Sequence, residues 1–98
     1  MRIPKNRCPN HPGEIIKKFI LDEFEISQTN LSERLNVSRR TINQLVNKQR
    51  PLSTIMALRL SKLTNTDPEY WISFQTAYDL FQMRNNKSLH LEDISAIA

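Results

Sequence analysis

The stretch SQTNLSERLNVSRRTINQLVN, Ser27 to Asn47, reads as two short helices joined by a sharp turn. Ser27 stands where a helix needs an acceptor for its unpaired first N–H groups, so it caps a helix over roughly Gln28 to Leu35. Leu31 and Leu35 lie about one turn apart and face inward. Asn36 follows, a residue that tolerates the left-handed conformation a sharp turn demands. Val37 plugs the turn, and Ser38 caps a further helix over roughly Arg39 to Asn47.

Advancing about 100° per residue along that further helix separates two arcs. Ile42, Leu45 and Val46 share one. Arg40, Asn43, Gln44 and Asn47 share the other, with Arg39 and Thr41 on the flanks. A solvated surface helix usually carries Glu and Lys, whereas this face has no acid and is rich in amides. Arg pairs bidentately with guanine, and Asn or Gln with adenine, each pairing giving roughly 1–3 kcal/mol of discrimination. Such a helix lodges in the DNA major groove with its first residues deepest. Arg39, Arg40 and Asn43 are therefore the expected base contacts, with Gln44 second to them. Phosphate contacts are expected from Gln28 at a helix start, from Asn47, Lys48 and Arg50 leaving the reading helix, and from the hydroxyls of Thr29 and Ser53.

The charge distribution agrees. From Arg34 to Thr66 there are seven Lys or Arg and no Asp or Glu, within a chain of net charge +4. An anionic partner, double-stranded DNA, is expected; a solvated basic surface is the plain alternative.

Outside the stretch, the 98 residues suit one all-α domain, and a single Gly argues against a turn-rich β fold. A first helix starts at Pro12 and ends around Asp22 to Glu25, with Ile15, Ile16, Phe19 and Ile20 as its apolar face. A fourth runs from about Ser53 to Thr64, burying Met56, Ala57, Leu60 and Leu63, and Asn65 ends it. Asp67 caps a fifth, Pro68 opens it, and it continues to about Met83. Trp71, Phe74, Tyr78 and Phe81 recur on one side of that helix. Some complete the core, but four rings exceed what four helices have left to cover, so part of the stripe is assigned to a homodimer interface. A two-fold dimer sets two reading helices roughly 34 Å apart, one DNA turn.

The domain so defined spans residues 12–83. Residues 1–11 form an extended basic arm held open by Pro4 and Pro9, a mobile terminus first and a DNA or protein contact second. Residues 84–98 are a tail that reads either as a short strand at Ser88 to Leu91 with a short helix at Leu91 to Ile97, or as a disordered end. Cys8 is the only cysteine, which excludes an internal disulfide and suits a reducing cytoplasm. Cys8 and His11 are three apart, but two ligands make no metal site and His90 is the only other His. No phosphate-cradling glycine loop or nucleophilic triad is present. Asp22, Glu23 and Glu25 read as solvated surface. No enzyme activity, metal or cofactor is expected, and no apolar run is long enough to span a membrane.

The residues Ser27-Gln28, Leu31, Leu35, Val37-Ser38, Ile42 and Asn47 resemble the helix-turn-helix of the lambda-repressor and Cro superfamily, the XRE family. The flanking His11-Pro12-Gly13-Glu14, Ala57-Leu58-Arg59-Leu60 and Asp67-Pro68-Glu69-Tyr70-Trp71, leading into Ala77-Tyr78-Asp79-Leu80, are similar to the HigA-type antitoxins of bacterial toxin–antitoxin modules. The resemblance covers about residues 11–83 and implies a five-helix lambda-repressor-like domain. It also implies a homodimer that represses its own operon and neutralises a HigB-like, RelE-like ribonuclease toxin, with no catalytic site of its own. Glu25, Asn36 and Asn65 stand where that family often has Gly, and Ser32 where it usually has Ala. The alternatives are a solitary XRE repressor and a protein-only adaptor.

Overall fold

The computed structural model describes residues 9–98, so the arm residues Arg2, Lys5, Arg7 and Cys8 lie outside it. Among the described residues there are five α-helices and no strand. They are α1 (Pro12–Ile16), α2 (Gln28–Leu35), α3 (Arg39–Val46), α4 (Thr54–Thr64) and α5 (Pro68–Arg84). The core joins Ile16, Leu31, Ile42, Leu45 and Leu60, all essentially inaccessible, with Trp71 and Phe74 from α5.

The first helix departs from the expected face. Past Ile16 the chain continues as a π-helical segment, Lys17–Asp22. A π turn brings residue i+5 beneath residue i, where an α turn brings i+3 or i+4. The buried pairs are accordingly Ile15 with Ile20 and Ile16 with Leu21, each five apart. Phe19, expected in the core, is instead 53% exposed.

The turns follow the capping chemistry. The Ser27, Ser38 and Ser53 hydroxyls accept from the N–H groups of Asn30, Thr41 and Met56 at 3.0, 3.1 and 3.1 Å. Asn36 and Asn65 end α2 and α4 in the left-handed region, at φ 57° and 54°. Glu25 takes the same conformation at φ 53°, without glycine's freedom from Cβ strain. The buried Ser32 returns its hydroxyl to the Thr29 carbonyl at 2.7 Å, which satisfies a polar atom at a helix contact.

Two local details stand out. Asp67 precedes α5 in extended conformation but its side chain makes no capping bond; Pro68 at the first position already lacks one of the orphan N–H groups. The tail forms neither strand nor α-helix. It makes two 3-10 turns, Lys87–Leu89 and Leu91–Asp93, joined by His90 at φ 52°, and all of its residues are exposed.

Gly13 fixes how α1 meets α3. A Cβ placed there would stand 1.8 Å from the Leu45 carbonyl oxygen, so the two backbones touch where only hydrogen fits. His11 seals this junction. Its ring is buried, its Nδ1 accepts from the Gly13 N–H at 2.9 Å, and it meets Tyr78 edge-on at 4.9 Å.

Candidate nucleic-acid interface

The close α1–α3 junction and the turn between α2 and α3 leave one side of α3 bare. Ile42, Leu45 and Val46 are buried; Arg39, Arg40, Asn43 and Asn47 are exposed, with Gln44 and Thr41 half-exposed. This is the two-arc division the periodicity predicts. Arg39 and Arg40 form no side-chain hydrogen bond or ion pair among the described residues, so both guanidiniums project unengaged from the first turn. That turn also carries the positive end of the helix dipole.

The neighbouring polar groups are tied together. The Asn43 Nδ2 donates to the Gln28 Oε1 at 3.2 Å, which links a base-contact candidate on α3 to a phosphate-contact candidate at the start of α2. One N–H and the carbonyl of the Asn43 amide remain, the pair an adenine edge requires. Arg50 folds back over α3, its Nη1 donating to the Thr41 Oγ1 at 3.4 Å. The Thr41 hydroxyl shares a further 2.8 Å bond with Ser38. Arg50 therefore adds its charge to the same end of α3 as Arg39 and Arg40.

Lys48 already has a partner within the chain. It follows α3 at φ 60°, and its ammonium lies 2.6 Å from the Glu14 carboxylate. Its charge is partly answered before any phosphate arrives. The Ser53 hydroxyl accepts as the α4 cap and keeps its proton to donate to another partner. Thr29 and Asn47 are exposed.

The seven cations are not one surface. Arg59 is half-buried and donates to the Leu35 carbonyl at 2.9 Å, fastening α4 to the end of α2. The Arg34 Nε donates to Asn30 at 2.6 Å. Sequence reasoning missed the Gly13 approach, the Glu14–Lys48 pair and the Gln28–Asn43 bond. Only the first left a trace: a lone glycine in a helix's first turn signals a close approach.

The aromatic stripe of α5 divides. Trp71 and Phe74 are buried in the monomer core, and the Trp71 Nε1 donates to the Thr66 hydroxyl at 3.0 Å, so neither ring is available to a second subunit. Tyr78 is half-buried against His11, and Phe81 is half-exposed. The exposed apolar side chains of this end are instead Leu80, Met83, Leu89, Leu91, Ile94 and Ile97. His11 has its Nδ1 engaged, and no cluster of metal-ligating side chains occurs among the described residues. No helix among them is long and apolar enough to cross a membrane.

A family model described as helix-turn-helix matches residues 16–71, which include both helices and the turn of the reading unit. The chain belongs to the helix-turn-helix family. It is 36% identical over 80 residues to the uncharacterized HTH-type transcriptional regulator YbaQ of Escherichia coli, covering 82% of this chain and 71% of YbaQ. It is 34% identical over 85 residues to antitoxin HigA-1 of Vibrio cholerae, covering 87% and 79%. Among solved structures, Pseudomonas aeruginosa antitoxin HigA with the higBA promoter superposes with a TM-score of 0.83 at 35% identity, covering 92% of this chain and 99% of that one. These relatives are an HTH-type transcriptional regulator and antitoxins, one of them solved with promoter DNA. The chain is thus a DNA-binding regulator of the HigA antitoxin type.

Proposed function

We propose that this protein is the antitoxin of a two-component module: a homodimer that represses its own operon through operator DNA and neutralises a HigB-like ribonuclease toxin. The observation that carries the DNA half is the outer face of α3, where Arg39 and Arg40 are exposed, without a side-chain partner among the described residues, beside an oriented Asn43 amide. Arg39, Arg40, Asn43 and Gln44 read bases. Gln28, Thr29, Asn47, Lys48, Arg50 and Ser53 hold phosphates and set register. The toxin half is supported by likeness to HigA antitoxins.

Salt-titrated binding to specific and random duplexes tests the assignment. Arg40→Ala and Asn43→Ala should each lose roughly 1–3 kcal/mol on the operator and little on random DNA. Arg50→Ala should weaken both and shallow the salt slope by about one unit. Equal losses on both duplexes for all three variants would remove α3 from the reading role. The kinship with YbaQ, described only as a transcriptional regulator, keeps a solitary repressor as the second reading. A toxin-sized neighbouring gene whose product copurifies with this protein decides between them.

A further inference from the structure

The π-helical register that turns Phe19 outward also opens an apolar groove. A cavity of about 640 Å³ lies between the first helix, the turn that follows it, and the α4–α5 junction. Phe19, Phe24, Ile26, Leu63 and Tyr70 line it, with Arg34 among them, and no residue of α3 or of the loop after it contributes. Phe19, Phe24 and Tyr70 are 53%, 68% and 44% exposed. Three half-bare rings around one groove are costly in water and mark a contact surface.

Its charge points to the occupant. Glu23 and Glu25 flank Phe24, and Asp67 and Glu69 lie in the strip that carries Thr66 and Tyr70. All four are exposed, and none forms an ion pair among the described residues. Of the nearby cations only Lys17 is paired with an acid, Asp22 at 3.2 Å; Lys18 lies over the Phe19 ring, Arg34 donates to the neutral Asn30, and Lys62 beside Leu63 is exposed, so four unpaired carboxylates face three such cations. In a chain of net charge +4, this is where uncompensated carboxylates gather.

We propose that the groove docks a small basic protein, which inserts an apolar side chain flanked by Lys or Arg. The inference rests on the antitoxin reading, in which that protein is the toxin. Aromatic rings at the centre of an interface dominate its affinity, while rim charges act mainly on the encounter rate. Because α3 takes no part in the groove, toxin and DNA occupy separate surfaces of one domain.

The test titrates the small basic protein encoded beside this gene against the full chain and two variants, Phe24→Ser and the double variant Glu23→Lys/Glu69→Lys. All three positions are exposed. Operator affinity and melting temperature report an intact fold: both should stay unchanged in Phe24→Ser, whereas the charge reversal, which puts a cation in the first turn of α5, should lower the melting temperature by a few degrees and should not weaken operator binding. Phe24→Ser should weaken toxin binding roughly tenfold or more. The charge reversal should slow association roughly tenfold at low salt and much less at high salt. Toxin binding within about twofold of wild type for both variants would overturn the docking site and leave the antitoxin reading standing. A wild-type chain that does not bind this toxin would overturn the antitoxin reading and the inference with it. A change of oligomeric mass in Phe24→Ser without toxin would assign the groove to a second copy instead.

Discussion

Gly13 and His11 show how few atoms hold the reading helix in place. Only hydrogen fits between Gly13 and the Leu45 carbonyl, so Gly13→Ala must part α1 from α3. Overpacking of a tight contact costs about 1–3 kcal/mol, and rigid backbone on the far side places this site at the upper end. Urea unfolding should show a loss of ~3 kcal/mol, with weaker operator binding because α3 shifts; an unchanged midpoint would mean that the junction yields freely. His11 adds a pH dependence. Burial, chiefly, lowers its pKa below 6.5, helped by Lys48 and opposed by Glu14 and Asp79. The unfolded chain then binds the proton more readily than the folded one, so stability rises with pH. The contribution is complete above about pH 6.5 and is lost as pH falls through the lower folded value. Protonation also removes the Nδ1 acceptor from the Gly13 N–H. Unfolding curves at pH 7.5 and 5.5 should separate for wild type and converge for His11→Asn, which keeps an acceptor and does not titrate. Equal separation in both would place the effect elsewhere.

At the scale of elements, the turns matter as much as the helices. Serine caps and left-handed asparagines set where α2, α3 and α4 begin or end, and these are local interactions that adjacent residues specify. Glu25 and Lys48 are the strained members among these turns, since a Cβ-bearing residue without a short polar side chain costs roughly 1–2 kcal/mol in the left-handed region. Part of that gain is offset by glycine's larger unfolded-state entropy. Glu25→Gly should therefore stabilise the protein by about 0.5–1 kcal/mol, read as a rise in melting temperature of a few degrees. A lower melting temperature would show that the Glu25 side chain makes a contact worth more than the strain. The first helix is where local rules fail. An α-helical period places Phe19 in the core, but Leu21 takes that place, because the π turn advances the buried face to i+5. No residue between Lys17 and Asp22 announces the change; packing against the rest of the core selects it.

For the whole molecule, the distribution of apolar surface bears on assembly. With Trp71 and Phe74 absorbed by the core, a dimer surface at this end would be built from Leu80, Met83 and the tail residues Leu89, Leu91, Ile94 and Ile97, beside the half-exposed Phe81. Leu80→Glu/Met83→Glu should yield a monomer by light scattering while leaving the melting temperature within a few degrees. Its operator affinity should fall toward that of one half-site, since a palindrome rewards two joined reading helices. A dimer that survives the double change would move the interface elsewhere.

The sequence by itself determined the all-α class, the helix-turn-helix and the division of α3 into buried and reading faces. Each of these rests on spacing and capping, which act over four residues or fewer. Only the tertiary structure decided which charges are available. Lys48 meets Glu14, and Arg59 meets the Leu35 carbonyl, across segments far apart in the chain. It likewise decided that two of the four α5 rings belong to the core, and that Phe19 and Phe24 border a groove. Partners in space follow from how helices pack, and the period of any one helix carries no record of what lies across from it.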